Sequence, residues 1–245
     1  MKVDILAFGA HPDDVELSCS GTIISEIKKG KKVAVVDLTE GELGSRGTVE
    51  TRYEEAATAA IIMGVHAREN LKLQDGFFEN NQETQLKLIA AIRKYQPEIV
   101  LANALNDRHP DHGKAGRLIA DSCFLAGLSR IKTTDAQGKE QERWRPSYVL
   151  HYIQDRLHEP NIVIDISHVF EQRMQAILAY KTQFFDATTN ANEPQTYISS
   201  PEFLEGLKSR TRLMGKRIGV MHAEGFTSEK SIGIKGFDSL IQNET

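Results

Sequence analysis

Two short segments carry most of the chemistry open to this chain: AHPDD at 10–14 and RHPDH at 108–112. Each gathers imidazole and carboxylate groups where an apolar run ends. Imidazole nitrogen and carboxylate oxygen are the ligands of a hydrolytic zinc centre, which takes three protein ligands and leaves one position open. His11, Asp14 and His112 supply such a set, with Asp13, His109 and Asp111 beside it. Asp13 and Asp14 are adjacent and cannot comfortably share one duty. One carboxylate on the metal leaves the other free as a general base. A structural reading competes, because Asp after Pro at a helix start is a good N-cap, favoured by the helix dipole. It accounts for either segment alone better than for both together.

The surrounding elements must bring the two segments to one place. Residues 3–9 form an apolar run that stops at AHPDD, and a helical stretch over 15–29 follows. Residues 32–38 are β-rich, 49–64 have Ala-rich helical spacing, 71–73 form a weaker strand and 83–95 a helix stopped by Pro97. A strand over 98–102 and a helix over 112–126 complete the first half. Such alternation with unbroken apolar strands argues for a parallel sheet covered on both faces. The predicted fold class is therefore α/β, a Rossmann-like three-layer sandwich with a mainly parallel sheet. In a sheet of order 3-2-1-4-5, strands one and four are neighbours, and ligands bind beyond their carboxyl ends. The active site is expected there.

The second half is less regular. Residues 132–145 form a polar connection, 148–153 and 162–166 read as strands, Ser167 as the N-cap of a helix reaching Tyr180, and 201–220 as another helix. The turn-rich stretch 186–200 has the composition of an active-site loop or an oligomer contact. With no linker in sight, residues 1–245 are read as a single domain.

Composition narrows the function classes. The 245 residues are 40% hydrophobic and 26% charged with a formal net charge of −4, values of a globular chain without a basic footprint for nucleic acid. No run approaches the roughly 18 apolar residues of a membrane span, and Asp4 interrupts MKVDILAFGA as a signal core. Cys19 and Cys123 lack metal-type spacing and read as small apolar fillers in helices, in a reducing, cytoplasmic setting. Neither a G-x-G-x-x-G nor a G-x-x-x-x-G-K-[ST] fingerprint is present, and FGAHPDDVELSCSG follows the first strand instead.

At the two HPD segments the chain resembles the LmbE/PIG-L family of zinc-dependent N-acetylglucosaminyl deacetylases. The LTEGELGSRGT stretch after strand two, the TRYEEA helix start at 51–56 and AEGF at 223–226 resemble the branch that deacetylates N-acetylglucosaminyl-malate in bacillithiol biosynthesis. The resemblance implies His11, Asp14 and His112 as metal ligands, Asp13 as general base, and His109 as cationic oxyanion partner kept protonated by Asp111. It implies Zn(2+), with Fe(2+) as the other ion such ligands accept. The leaving amine would be protonated through Asp13 or His109. A GlcNAc conjugate would be the small-molecule substrate, GlcNAc-malate first and a chitooligosaccharide as the alternative. It also implies a homo-oligomer.

Two carboxylates on that substrate call for arginines, and Arg46, Arg52 and Arg108 are placed for it. Tyr197 matches a mobile aromatic lid residue of relatives. His222 stands where Tyr is expected, either lining the pocket or packing, and His151 lies on a strand that can turn it toward the cleft. Two rivals are an Fe(II) oxygenase, which would leave Asp13 without a role, and a metal-binding adaptor, which would leave Asp13, His109 and Asp111 idle.

Overall fold

The computed structural model describes residues 1–184 and 194–240. Seven strands form one sheet: β1 (Ile5–Gly9), β2 (Val33–Thr39), β3 (Ala67–Leu73), β4 (Ile99–Ala102), β5 (Tyr148–Tyr152), β6 (Ile162–Asp165) and β7 (Ala223–Thr227). Their order is β3-β2-β1-β4-β5-β7-β6. The first five are parallel, and β7 runs antiparallel between β5 and β6. As expected, β1 and β4 are neighbours, with Ile5 opposite Ile99 and Ala7 opposite Leu101.

Among the described residues, six helices cover the sheet: α1 (Asp14–Lys28), α2 (Val49–Met63), α3 (Gln82–Tyr95), α4 (Pro110–Ala126), α5 (Phe170–Leu178) and α6 (Pro201–Ile218). Leu6 and Phe8 of β1 face α3 and α4, in a core with Leu88, Ile92, Leu118 and Ile119. Ile5 and Ala7 face the other way, onto Val15, Cys19 and Ile23 of α1. Every residue of β1 and β2 is buried, which is why these strands read as unbroken apolar runs. Both cysteines are buried in helices as fillers.

The sequence reading needs two corrections. Ser167 does not cap a long helix; it opens a short 3-10 turn, Ser167–Val169, and α5 starts only at Phe170. Its hydroxyl is bonded to the His222 backbone and is not available to the following amides. AEGFT also forms a strand that its Glu and Gly conceal. A Cβ at Gly225 would lie 3.1 Å from Met214 Sδ and 3.2 Å from Pro160 Cβ, so the residue is small because α6 packs closely. Of the stretch 186–200, residues 186–193 lie outside the described residues, and Tyr197–Ser199 forms a 3-10 turn.

Candidate active site

The turn between β1 and α1 sets the geometry. A Cβ at Gly9 would sit 2.9 Å from the His11 carbonyl, so the chain can double back tightly only without a side chain there. Asp13, the residue before α1, has φ 126° and ψ −24°, a conformation that non-glycine residues rarely adopt. Its side chain makes no capping bond to the helix, as a purely structural Asp would; it lines a cavity. Backbone strain held at one carboxylate facing a cavity is a common feature of functional sites. Burial pushes the Asp13 carboxyl up to about 7, while Arg52 pulls the other way and Asp14 adds to the rise.

His11, Asp14 and His112 meet at the ends of β1 and β4. Asp14 Oδ1 lies 3.0 Å from His112 Nε2, and Asp14 Oδ2 lies 3.7 Å from His11 Nδ1. The far nitrogen of each ring is held by another carboxylate. His11 Nε2 is 3.0 Å from Asp75 Oδ1, and His112 Nδ1 is 2.6 Å from Asp107 Oδ2. A carboxylate behind an imidazole fixes its tautomer and aims the opposite nitrogen at a metal. The donor set thus fits a divalent ion held by His11 Nδ1, Asp14 and His112 Nε2. Four buried carboxylates, Asp14, Asp75, Asp107 and Asp111, surround these imidazoles, a surplus of negative charge that favours a cation. Against the cost of burial, Asp14 and Asp107 raise the His112 imidazole to about 9. His11, Asp75 and Asp111 also cluster, but there the contact from His11 is the nitrogen turned away from Asp14.

Asp14 is fixed by more than the imidazoles. Asn103 Nδ2, just past β4, donates to its Oδ2 at 3.0 Å, and Gln154 Nε2, just past β5, donates to its Oδ1 at 3.2 Å. Sequence reasoning missed Asn103, Gln154, Asp75 and Asp107. Their shared signal is a polar residue near the carboxyl end of a strand of the parallel part of the sheet.

His109 lies against the same rings, its centroid 4.8 Å from that of His11 and 5.1 Å from that of His112. Its relation to Asp111 differs from the expected one. The Asp111 carboxylate accepts from the Gly76 amide at 2.7 Å and from Lys114 Nζ at 3.1 Å, and lies 3.5 Å from His11 Nε2. What meets the His109 ring is the Asp111 backbone amide, which donates to His109 Nδ1 at 3.3 Å as a cap of α4. Burial, with His11 and His112 nearby, lowers the His109 pKa. In this bond Nδ1 is the acceptor, which leaves Nε2 as the ring nitrogen able to donate.

A cavity of about 270 Å³ opens over these groups, and Arg46, Arg52 and Arg108 all line it. Arg52 is buried, packs against the Gly41–Gly44 turn and donates to Gln183. Arg46 Nε donates to the Thr182 carbonyl at 2.7 Å. Arg108 Nε pairs with Asp155 at 3.0 Å, and its guanidinium lies 4.3 Å from the Tyr197 ring centroid. Tyr197 donates to the other Asp155 oxygen at 2.9 Å and stands beyond Arg108, lining the next cavity instead of this one. His222 is remote from the cluster, stacked on Phe170 at 3.6 Å and bonded to Thr211. His151 is buried with Nδ1 on the Asn103 carbonyl at 2.7 Å, away from the main cavity.

Glu224 of AEGF is a structural carboxylate. It accepts from the Gly21 and Thr22 amides of α1 at 3.0 and 2.7 Å, from the Thr22 hydroxyl at 2.7 Å, and from Arg173 Nε at 2.8 Å. Arg173 and Arg210 in turn donate to the Leu17 carbonyl, the α-helical partner of the Gly21 amide. Side chains from β7, α5 and α6 thus fasten the helix whose first turn carries Asp14.

A family model described as GlcNAc-PI de-N-acetylase, PIG-L, matches residues 6–123. The crystal structure of the conserved protein TT1542 from Thermus thermophilus superposes with a TM-score of 0.83 at 34% identity, over 95% of this chain and 98% of that one. Among curated proteins, the diacetylchitobiose deacetylase of Thermococcus kodakarensis is 28% identical over 231 residues, covering 90% of this chain and 81% of its own. A probable N-acetyl-alpha-D-glucosaminyl L-malate deacetylase 2 of Bacillus cereus is 26% identical over 202 residues, covering 75% and 84%.

Proposed function

We propose that this chain is a PIG-L family protein, a metal-dependent amide hydrolase that removes the N-acetyl group from a small GlcNAc-containing molecule; the family model over residues 6–123 and the likeness to a diacetylchitobiose deacetylase support this reading. The observation that carries this reading is the convergence of His11 Nδ1, Asp14 and His112 Nε2 beside a strained, buried Asp13 in one cavity. A zinc ion, or iron(II), held by those three groups would polarise the acetyl carbonyl and acidify water next to it. The whole chain acts as one domain in this reading, since both halves contribute strands to the sheet.

The chain's own residues supply the rest. Asp13, held in the cavity by its unusual backbone, accepts the proton of the attacking water. His109 Nε2–H donates to the carbonyl oxygen as negative charge builds there, which requires only a neutral ring. Asp75 and Asp107 orient the two imidazoles. Asn103 and Gln154 hold Asp14 by its two carboxylate oxygens. Asp13 then passes the proton it accepted to the departing amine.

A neutral chitobiose-type substrate is favoured over GlcNAc-malate. The likeness to diacetylchitobiose deacetylase spans more of the chain than the likeness to the malate deacetylase. GlcNAc-malate stays as the second reading because Arg46 and Arg52 line the cavity. Metal analysis of the purified protein, coupled to acetate release from N,N′-diacetylchitobiose, GlcNAc and GlcNAc-malate, tests both. Acetate release that a chelator abolishes and zinc restores is expected. Failure to release acetate from any of the three sinks the deacetylase reading.

A further inference from the structure

The main cavity has an unassigned neighbour. A second cavity of about 390 Å³ lies along α6, lined by Tyr197, Phe203, Gly206, Leu207, Arg210 and Asp155 among others. A narrow space of about 50 Å³ joins the two. It shares Asp14, Leu17, Arg108 and Ile198 with the main cavity, and Asp155, Phe203, Leu207 and Arg210 with the second. The Arg108–Asp155–Tyr197 contacts stand at this junction, on half-exposed side chains that can exchange partners with a ligand.

We propose that the second cavity holds the non-reacting part of the substrate, and that this part is an uncharged sugar ring. The proposal rests on the deacetylase reading above, to which it adds the place that holds the second sugar. Continuity with the cavity over Asp13 makes the occupant part of the same molecule. The lining selects its chemistry. Tyr197 and Phe203 lie edge to face with centroids 5.4 Å apart and offer the apolar faces on which sugar C–H groups pack. Asp155 and Glu202 accept hydrogen bonds from hydroxyls, and Ser200 and Ser209 can donate or accept. A dicarboxylate is opposed by the same groups. Asp155 and Glu202 repel it, Arg108 is paired with Asp155, and the Arg210 guanidinium is held by the Gln154 and Leu17 carbonyls.

Gly206 makes the cavity testable. It lies within α6, and a Cβ placed there meets no atom within 4 Å. Gly206→Phe fills the cavity without touching any residue assigned to catalysis. Its expected effect is a fall of about tenfold or more in kcat/KM for N,N′-diacetylchitobiose, with free GlcNAc changed less than about twofold. Ser209→Trp, on the exposed rim, provides a second blocking variant should the first fail to fold. Equal losses on both substrates, or no loss on either, overturn the proposal. So does a GlcNAc-malate turnover that exceeds that of chitobiose and falls with it in the blocked variants. If the wild type releases no acetate at all, the deacetylase reading fails separately. Calorimetric binding of chitobiose to wild type and blocked protein then judges the cavity by itself: selective loss on blocking supports the site, and equal or absent binding refutes it.

Discussion

Glu224→Gln is expected to destabilise the fold by about 4 kcal/mol, although the side chain is far from the reacting groups. The carboxylate is 3% exposed and accepts four hydrogen bonds, two from α1 amides, one from the Thr22 hydroxyl and one from Arg173. Gln preserves the volume but turns one acceptor into a donor. Toward Oε1 it would face the Gly21 amide and Arg173, and toward Oε2 the Thr22 amide, so either orientation sets donor against donor. Leaving the buried Arg173 without its counter-charge costs about 3–5 kcal/mol, and an orphaned amide about 1–3 kcal/mol. Urea unfolding, followed by circular dichroism, provides the assay. With a slope of about 3 kcal/mol/M, the midpoint should fall by more than about 1 M. A shift below about 0.3 M would refute the assignment. The double variant Glu224→Leu with Arg173→Met separates two explanations. A plain buried ion pair replaced by apolar groups is often neutral. Here the Gly21 and Thr22 amides would lose their acceptor, so about 2 kcal/mol or more should still be lost. A neutral double variant would mean that the carboxylate serves Arg173 and not the helix.

Three further outcomes are expected. Asp75→Ala and Asp107→Ala should each weaken the bound ion by about 10–100-fold in chelator competition, through loss of imidazole orientation; unchanged affinity would place both residues outside the centre. Asp13→Asn should keep the ion and lose about 100-fold or more in kcat, and turnover near that of the wild type would remove Asp13 as the base. Gly116→Ala should destabilise by about 1–3 kcal/mol despite the better helix propensity of Ala, because the new Cβ would lie 2.7 Å from the Asn103 carbonyl. Thermal melts decide that case, where a stabilised variant would show that α4 can move off β4 without penalty.

The legible part of the site lay where burial makes sequence simple. β1 and β4 are covered on both faces, so their apolar runs end abruptly; His11–Asp14 follows the first almost at once and Arg108–His112 follows the second after a short loop. The pairing of strands one and four follows from topology, which put both HPD segments at one crevice. The groups behind the ligands were less visible. Asn103 and Gln154 each follow the last apolar residue of a strand, yet their contacts with Asp14 depend on the order β1-β4-β5 and on distances no spacing encodes. Asp107 precedes His112 by a non-periodic loop, so its bond to Nδ1 is a matter of loop shape. The hydrogen bonds of Asp111 and His109 depart from what the family resemblance implied for a similar reason. The helix start gives the Asp111 amide to His109 and turns the carboxylate toward Gly76 and Lys114.

Two parts of the fold set two different properties. The proposed ligands sit in the turn after β1 and at the starts of α1 and α4, with Asn103 and Gln154 behind them just past β4 and β5. Fastening reaches as far as Glu224, which grips α1 two turns beyond Asp14. Chemistry that needs fixed geometry is therefore encoded in short, readable segments. The groups that line the two cavities come in part from the turn after β2, from residues 194–199 and from α6. There, contacts such as Arg108 with Asp155 and Tyr197 are half-exposed and readily exchanged. An exchangeable wall can change its preferred substrate without disturbing the imidazoles behind it. Gly206 makes the same point from one residue: a Cβ on it would meet no atom within 4 Å, and an absent side chain leaves no motif to read.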